Sequence, residues 1–152
     1  MFNLKLVSFC CLALIGSTVH ATAQVSQIPN SGCQGSDTIV TRGEPRIGDT
    51  LTFRFECGQD EIPMLFFGEI LRPPMRLQGS AICNRGGCTL AVSPDVILTG
   101  RANTALSVPV PIPRDRSLIG VEVGVQGACI DRDDMCLTLS RALRVRIQEP
   151  AR

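Results

Sequence analysis

Three carboxylates fall within four residues at Asp131, Asp133 and Asp134, and clustered acidic oxygens are what a hard cation would take. Calcium needs about six to eight oxygen ligands, so this cluster would begin a shell without completing it. No glycine and distal glutamate follow at the spacing of an EF-hand loop. The plainer role for the segment is a solvated hairpin tip, with Asp131 as its turn residue. A second candidate is Asn84-Arg85-Gly86-Gly87, between Cys83 and Cys88. A disulfide closing that loop would present Arg85 on a constrained, exposed turn, as some inhibitors of trypsin-like proteases do. Such a loop binds well because its ordering entropy is already spent. An ordinary turn before a strand is the alternative. Arg141, Arg144 and Arg146 form a third group, able to pair with acids on a neighbouring strand, to receive an anionic partner, or to guard an edge.

Most catalytic chemistry is excluded by what the chain lacks. The one lysine, Lys5, and the one histidine, His20, both precede a small-residue site at Ala21-Thr22-Ala23. Lys5, the apolar run from Leu6 to Val19 and this site have the form of a secretory signal peptide spanning residues 1–23, with cleavage after Ala23. Beyond it no imidazole remains for a Ser-His-Asp or Cys-His arrangement, and no amine for a serine–lysine one. Neither Asp37-Thr38-Ile39 nor Asp49-Thr50-Leu51 supplies the glycine of an aspartic-protease turn. A hydrolase working through paired carboxylates is the remaining enzymatic alternative. Sugar sites commonly use aromatic platforms, however, and the chain has neither tryptophan nor tyrosine.

The mature portion carries fourteen arginines against fourteen acids, so no basic field is present to gather nucleic acid or an anionic membrane. No apolar run approaches the roughly 20 residues of a membrane span. Cysteine usage agrees with export: Cys33, Cys57, Cys83, Cys88, Cys129 and Cys136 remain after residue 23, an even number that reads as three disulfides. Zinc is disfavoured, because the C-x4-C and C-x6-C spacings lack a second knuckle or a histidine. No cofactor is expected. The expected partner is a protein or a cell-surface component of unknown identity.

These side chains must be positioned by short strands. Residues 24–31 are polar and read as a flexible lead-in to one domain over residues 32–149. Thr50 to Cys57 alternates, with Leu51, Phe53 and Phe55 on one face and Thr52, Arg54 and Glu56 on the other. Further runs are Asp37 to Thr41, Pro63 to Phe67, Cys88 to Val92, Ala102 to Val110, Leu118 to Ile130 and Leu137 to Ile147. Ile70 to Gln78, with Pro73-Pro74, reads as a bend or an edge segment. No helical period is sustained. About eight short strands with turn residues between them predict an all-β, antiparallel β-sandwich, immunoglobulin-like or jelly-roll-like.

Ser107, Pro111, Ile112, Pro113, Asp115, Leu118, Gly120, Gln126 and Asp131, then Ser140, Leu143 and Ile147, form a spaced pattern. Upstream stand Gly32-Cys33-Gln34-Gly35-Ser36, Gly48, Gly87-Cys88-Thr89-Leu90 and Val92-Ser93-Pro94-Asp95. The set, spanning Gly32 to Ile147, resembles an uncharacterised family of exported bacterial β-sandwich domains, frequent in planctomycetes and in myxobacteria-like Gram-negatives. The resemblance implies export and a β-sandwich, and no activity. It also implies a Cys33–Cys88 disulfide. Cys129 and Cys136 bracket a hairpin turn and most simply join each other, which leaves Cys57 to Cys83. The local alternative, Cys83–Cys88 with Cys33–Cys57, stays open. The functional expectation is a secreted, non-catalytic protein with a structural or interaction role at the cell envelope or outside it.

Overall fold

A computed structural model describes residues 24–33, 38–79, 82–83 and 87–150. The proposed leader and Arg85 lie outside the described residues. Strands alternate with turns throughout: β1 Val25–Gln27, β2 Gly32–Cys33, β3 Val40–Arg42, β4 Thr50–Phe55, β5 Glu61–Gly68 and β6 Ile70–Leu77. They continue as β7 Cys88–Val92, β8 Val96–Thr99, β9 Leu106–Pro111, β10 Glu122–Asp131, β11 Leu137–Leu139 and β12 Leu143–Arg146. Every strand pairing is antiparallel.

The antiparallel sandwich expected from the sequence forms, and it has three layers. The central sheet runs β1-β12-β10-β5-β8, with β11 also on β10. One smaller sheet, β3-β4-β9, covers one face, and another, β2-β7-β6, covers the opposite face. Alternation along β10 displays this arrangement. Gly127 lies under the Phe55 ring of β4, while Gly124, of opposite parity, lies under Val92 of β7. A Cβ at Gly127 would come within 2.7 Å of that ring, so glycine permits the close approach. Residues 124–129 are consequently buried on both sides.

Three apolar clusters result, the smallest made of Ile28, Ala91, Val92 and Ala142. Leu51, Phe53 and Phe55 of β4 meet Leu65, Val125, Leu143 and Val145 on one side, with Phe53 set edge-on to Phe67 at 5.4 Å between ring centroids. Cys33, Phe66, Ala128 and Leu139 pack on the other. The alternation of β4 is the one the sequence predicts, because its outer positions face water.

The third layer comes from one bent hairpin. β5 continues into β6 across Gly68-Glu69, and β7 returns into β8 across Ser93-Pro94-Asp95. The lower halves, β5 and β8, belong to the central sheet, and the upper halves fold back over it. Glu69 N–H donates to Ser93 Oγ at 2.8 Å and Ser93 N–H donates to the Glu69 carbonyl at 2.9 Å. A Cβ on Gly68 would stand 2.1 Å from the Ser93 carbonyl oxygen, so the bend admits no side chain there.

Two expectations are corrected. Residues 24–31 are not a flexible lead-in. Val25, Ser26 and Gln27 pair with Val145, Arg144 and Leu143, Ile28 is buried, and Ser31 Oγ accepts from Ala142 N–H at 2.8 Å. Three extended residues suffice to add an edge strand, and their polar letters conceal it. The second correction concerns the disulfides. Cys33 and Cys88 are bonded and face each other across β2 and β7, but Cys57 bonds Cys129 and Cys83 bonds Cys136. Cys57 follows Phe55 by two residues as Cys129 follows Gly127, so it sits over the same face of β10. Cys129 stands opposite Thr138, not Cys136, in the β10–β11 ladder. Ile82 bridges Leu137, and Cys83 N–H donates to the Leu137 carbonyl at 3.0 Å, which brings Cys83 beside Cys136. The central sheet separates Cys57 from Cys83. The predicted pairs Cys57–Cys83 and Cys129–Cys136 are therefore not made, nor is the local set.

Candidate functional site

The residues singled out by type are mostly engaged in building the fold. Asp131 Oδ1 accepts from the N–H groups of Asp133 and Asp134, at 2.8 and 3.1 Å, and so shapes the turn after β10. The three carboxylates do not converge on a common point. Among the described residues the acidic or sulfur groups that do gather are Cys57, Glu61 and Cys129, and two of these are joined in a disulfide. The calcium candidate Asp131, Asp133 and Asp134 is thus corrected to a turn. The inhibitor geometry loses its premise as well, because Cys83 and Cys88 are bonded to other partners.

The arginine row divides. Arg144 on β12 lies 3.7 Å from Glu122 of β10, and Arg72 of β6 approaches the same oxygen at 3.7 Å. Arg141 Nη1 donates to Gln27 Oε1 at 3.4 Å. A cleft of about 520 Å³ lies here, lined by residues 27–33 and Arg141, and its hydroxyl, Ser31, is spent on the Ile28 carbonyl and Ala142 N–H. A smaller hollow beside Cys57 offers the Glu56 carboxylate, which is paired with Arg54.

The spaced pattern from the sequence acquires concrete work. Gln126, fully buried, accepts from Ala91 N–H with Oε1 at 2.9 Å and donates with Nε2 to the carbonyls of Thr89 and Ser140, both at 3.0 Å. It ties the central sheet to β7. It also serves a one-residue register shift between β11 and β12, where Arg141 and Ala142 both lie opposite Gln126. Ser140 Oγ accepts from Gly127 N–H at the same shift. Asp115 caps the 3-10 turn Arg116–Leu118, accepting from Ser117 N–H at 2.9 Å. Hydrogen bonding from Ser117 backbone and side chain holds its carboxyl below the ordinary aspartate value.

One feature of the surface has no such internal use. β8 ends the central sheet, with β5 as its neighbour, and it leaves Val96 53%, Ile97 51% and Leu98 37% exposed. Gly100 N–H donates to the Pro63 carbonyl at 2.8 Å. In that register Val96 and Leu98 turn their backbone groups toward β5, so Ile97 and Thr99 turn theirs outward. Other sheet ends are guarded. β9 carries Pro109 and Pro111, which have no N–H to offer, and β6 carries Pro73, Pro74 and exposed arginines. β1, β2 and β3 are three residues or fewer. β8 has neither proline nor charge. The sequence predicts no strand at Val96–Thr99, because four residues behind Ser93-Pro94-Asp95 look like a loop. The signal was there in three successive apolar residues flanked by Asp95 and Arg101.

No known protein family, curated protein or solved structure matches this chain. Among the described residues no helix is long and apolar enough to cross a membrane, which says nothing of membrane β-barrels.

Proposed function

We propose that this is an exported, disulfide-braced β-sandwich that acts by association, not catalysis, at the cell envelope or outside it, and that β8 is the edge it presents. Three disulfides suit an oxidising compartment, in keeping with the leader-like residues 1–23. The observation that carries the reading is the contrast among sheet ends: among the described edges β8 joins outward backbone groups to three successive exposed apolar side chains, whereas β3 and β6 each expose a single one, Val40 and Met75. An open edge of this kind recognises an extended segment through main-chain hydrogen bonds.

The test is site-specific photo-crosslinking in the native host. A photoreactive residue replaces Ile97 or, as a control on the proline-guarded edge, exposed Ser107. A discrete adduct from position 97 and none from position 107 is expected. No adduct from either position, or equal adducts from both, would overturn the reading.

A further inference from the structure

The residues around β8 form a self-complementary sequence, Asp95-Val96-Ile97-Leu98-Thr99-Gly100-Arg101. From this we infer that the occupant of the edge is β8 of a second copy, paired antiparallel about a twofold axis through Leu98. The inference rests on the reading of β8 as the binding edge and names its partner.

Register follows from the backbone. Outward groups belong to Ile97 and Thr99, and an antiparallel pair must set outward residues opposite outward residues. Centring the pair on Leu98 places Ile97 of each copy across from Thr99 of the other, giving four main-chain hydrogen bonds. The same register places Asp95 of each copy across from Arg101 of the other, at both ends. Shifting by two residues in either direction loses both charge pairs. Asp95 Oδ2 is held by Ser93 Oγ at 2.8 Å and Glu69 N–H at 3.3 Å, so the carboxylate is fixed at the strand's start. Its Oδ1 has no partner among the described residues.

Side chains agree with this placement. Leu98 shares a face with Leu65 of β5, and Val96 with Phe67. In the pair, the two Leu98 side chains meet on the axis, flanked by the Val96 side chains, and extend that apolar row from one copy into the next. Gly100 falls opposite Val96 of the other copy and adds no bulk there. Two central sheets become one continuous sheet ending in the short β1 strands, and an isologous contact of this kind closes without leaving a free β8 edge for further growth.

Sedimentation velocity on the oxidised chain, over a wide concentration range, tests the pairing. The unaltered protein should pass from monomer to dimer and no further. Arg101→Asp turns both charge pairs into repulsions and should raise the dimer Kd about tenfold to a hundredfold. The double substitution Asp95→Arg/Arg101→Asp restores opposite charges in the same register and should recover most of that loss. Circular dichroism of each variant verifies the fold, and Arg101→Lys, which retains the charge, should dimerise nearly as well as the parent. A protein monomeric at every concentration, or a double variant no better than Arg101→Asp, would overturn the inference. Failure here remains distinguishable from failure of the binding reading: crosslinks from position 97 to a different protein would leave β8 a binding edge and remove only self-pairing.

Discussion

Gln126→Leu probes how the three layers are held together. The substitution keeps the side-chain volume close to that of glutamine and removes all three hydrogen bonds. Ala91 N–H then loses its acceptor in the interior, and the carbonyls of Thr89 and Ser140 lose a donor. An orphaned buried polar group costs about 1–3 kcal/mol, the carbonyls lying toward the lower end. Leucine recovers some of this through apolar burial, leaving a net loss of roughly 2–4 kcal/mol against a total stability of about 5–15 kcal/mol. Urea unfolding of the oxidised chain, followed by circular dichroism, reads the loss as a lower midpoint at an unchanged slope. Gln126→Glu sharpens the test. It keeps an acceptor for Ala91 but sets a carboxylate against two carbonyls at a site with no exposure. Burial raises that carboxyl's folded pKa above its unfolded value, so the variant should fall below Gln126→Leu near neutral pH and regain stability as the pH falls. A loss under about 1 kcal/mol for Gln126→Leu, with Gln126→Glu no worse, would refute the layer-bridging role of this side chain.

Removing the inter-layer disulfide with Cys57→Ser/Cys129→Ser opens a separation of 72 residues and should cost about 4 kcal/mol in the chain-entropy picture. Non-reducing peptide mass spectrometry of the unaltered protein should recover Cys57–Cys129 and Cys83–Cys136 peptides, whereas a Cys129–Cys136 peptide would contradict the fold. Asp131→Ala should cost about 1 kcal/mol through the lost turn acceptor, while Asp131→Asn, which keeps an oxygen there, should be nearly silent in the same unfolding assay. Equal losses from both would point to a role for the charge. For Asp115, an NMR titration should place the carboxyl below that of an unfolded reference peptide. Because the folded value is lowered, its contribution is complete above the unfolded pKa and is lost as the pH falls through the folded one. A value at or above the reference would contradict the cap.

Patterns that depend on a single face were legible from the residues. β4 alternates between water and one core, and its letters alternate with it. β10 has cores on both sides, so Val123 and Val125 mark one of them while Gln126 and Ala128 mark the other, and a polar letter in the most buried strand conceals its position. The alternation places Leu118 in a strand, yet Asp115 caps a 3-10 turn there and Gly120, at φ +83°, ends it. The run from Leu137 to Ile147 divides because of one extra residue, which alternation counted over the whole stretch averages away. Disulfide partners depend on which face of β10 each cysteine occupies and on where Ile82–Cys83 docks. Neither is a property of spacing. The edge at β8 is not legible in the residues, because its meaning comes from being last in the sheet.

The central claim, that β8 is an open edge which becomes paired, is tested most directly by residue-resolved amide exchange in the oxidised chain at low and high protein concentration. Leu98, whose N–H points toward β5, is the internal reference. The expected result is fast exchange at Ile97 and Thr99 in dilute protein, slowing as concentration rises, with Leu98 constant. Fast exchange at both amides under every concentration, or protection equal to that of Leu98 in the dilute monomer, would contradict it.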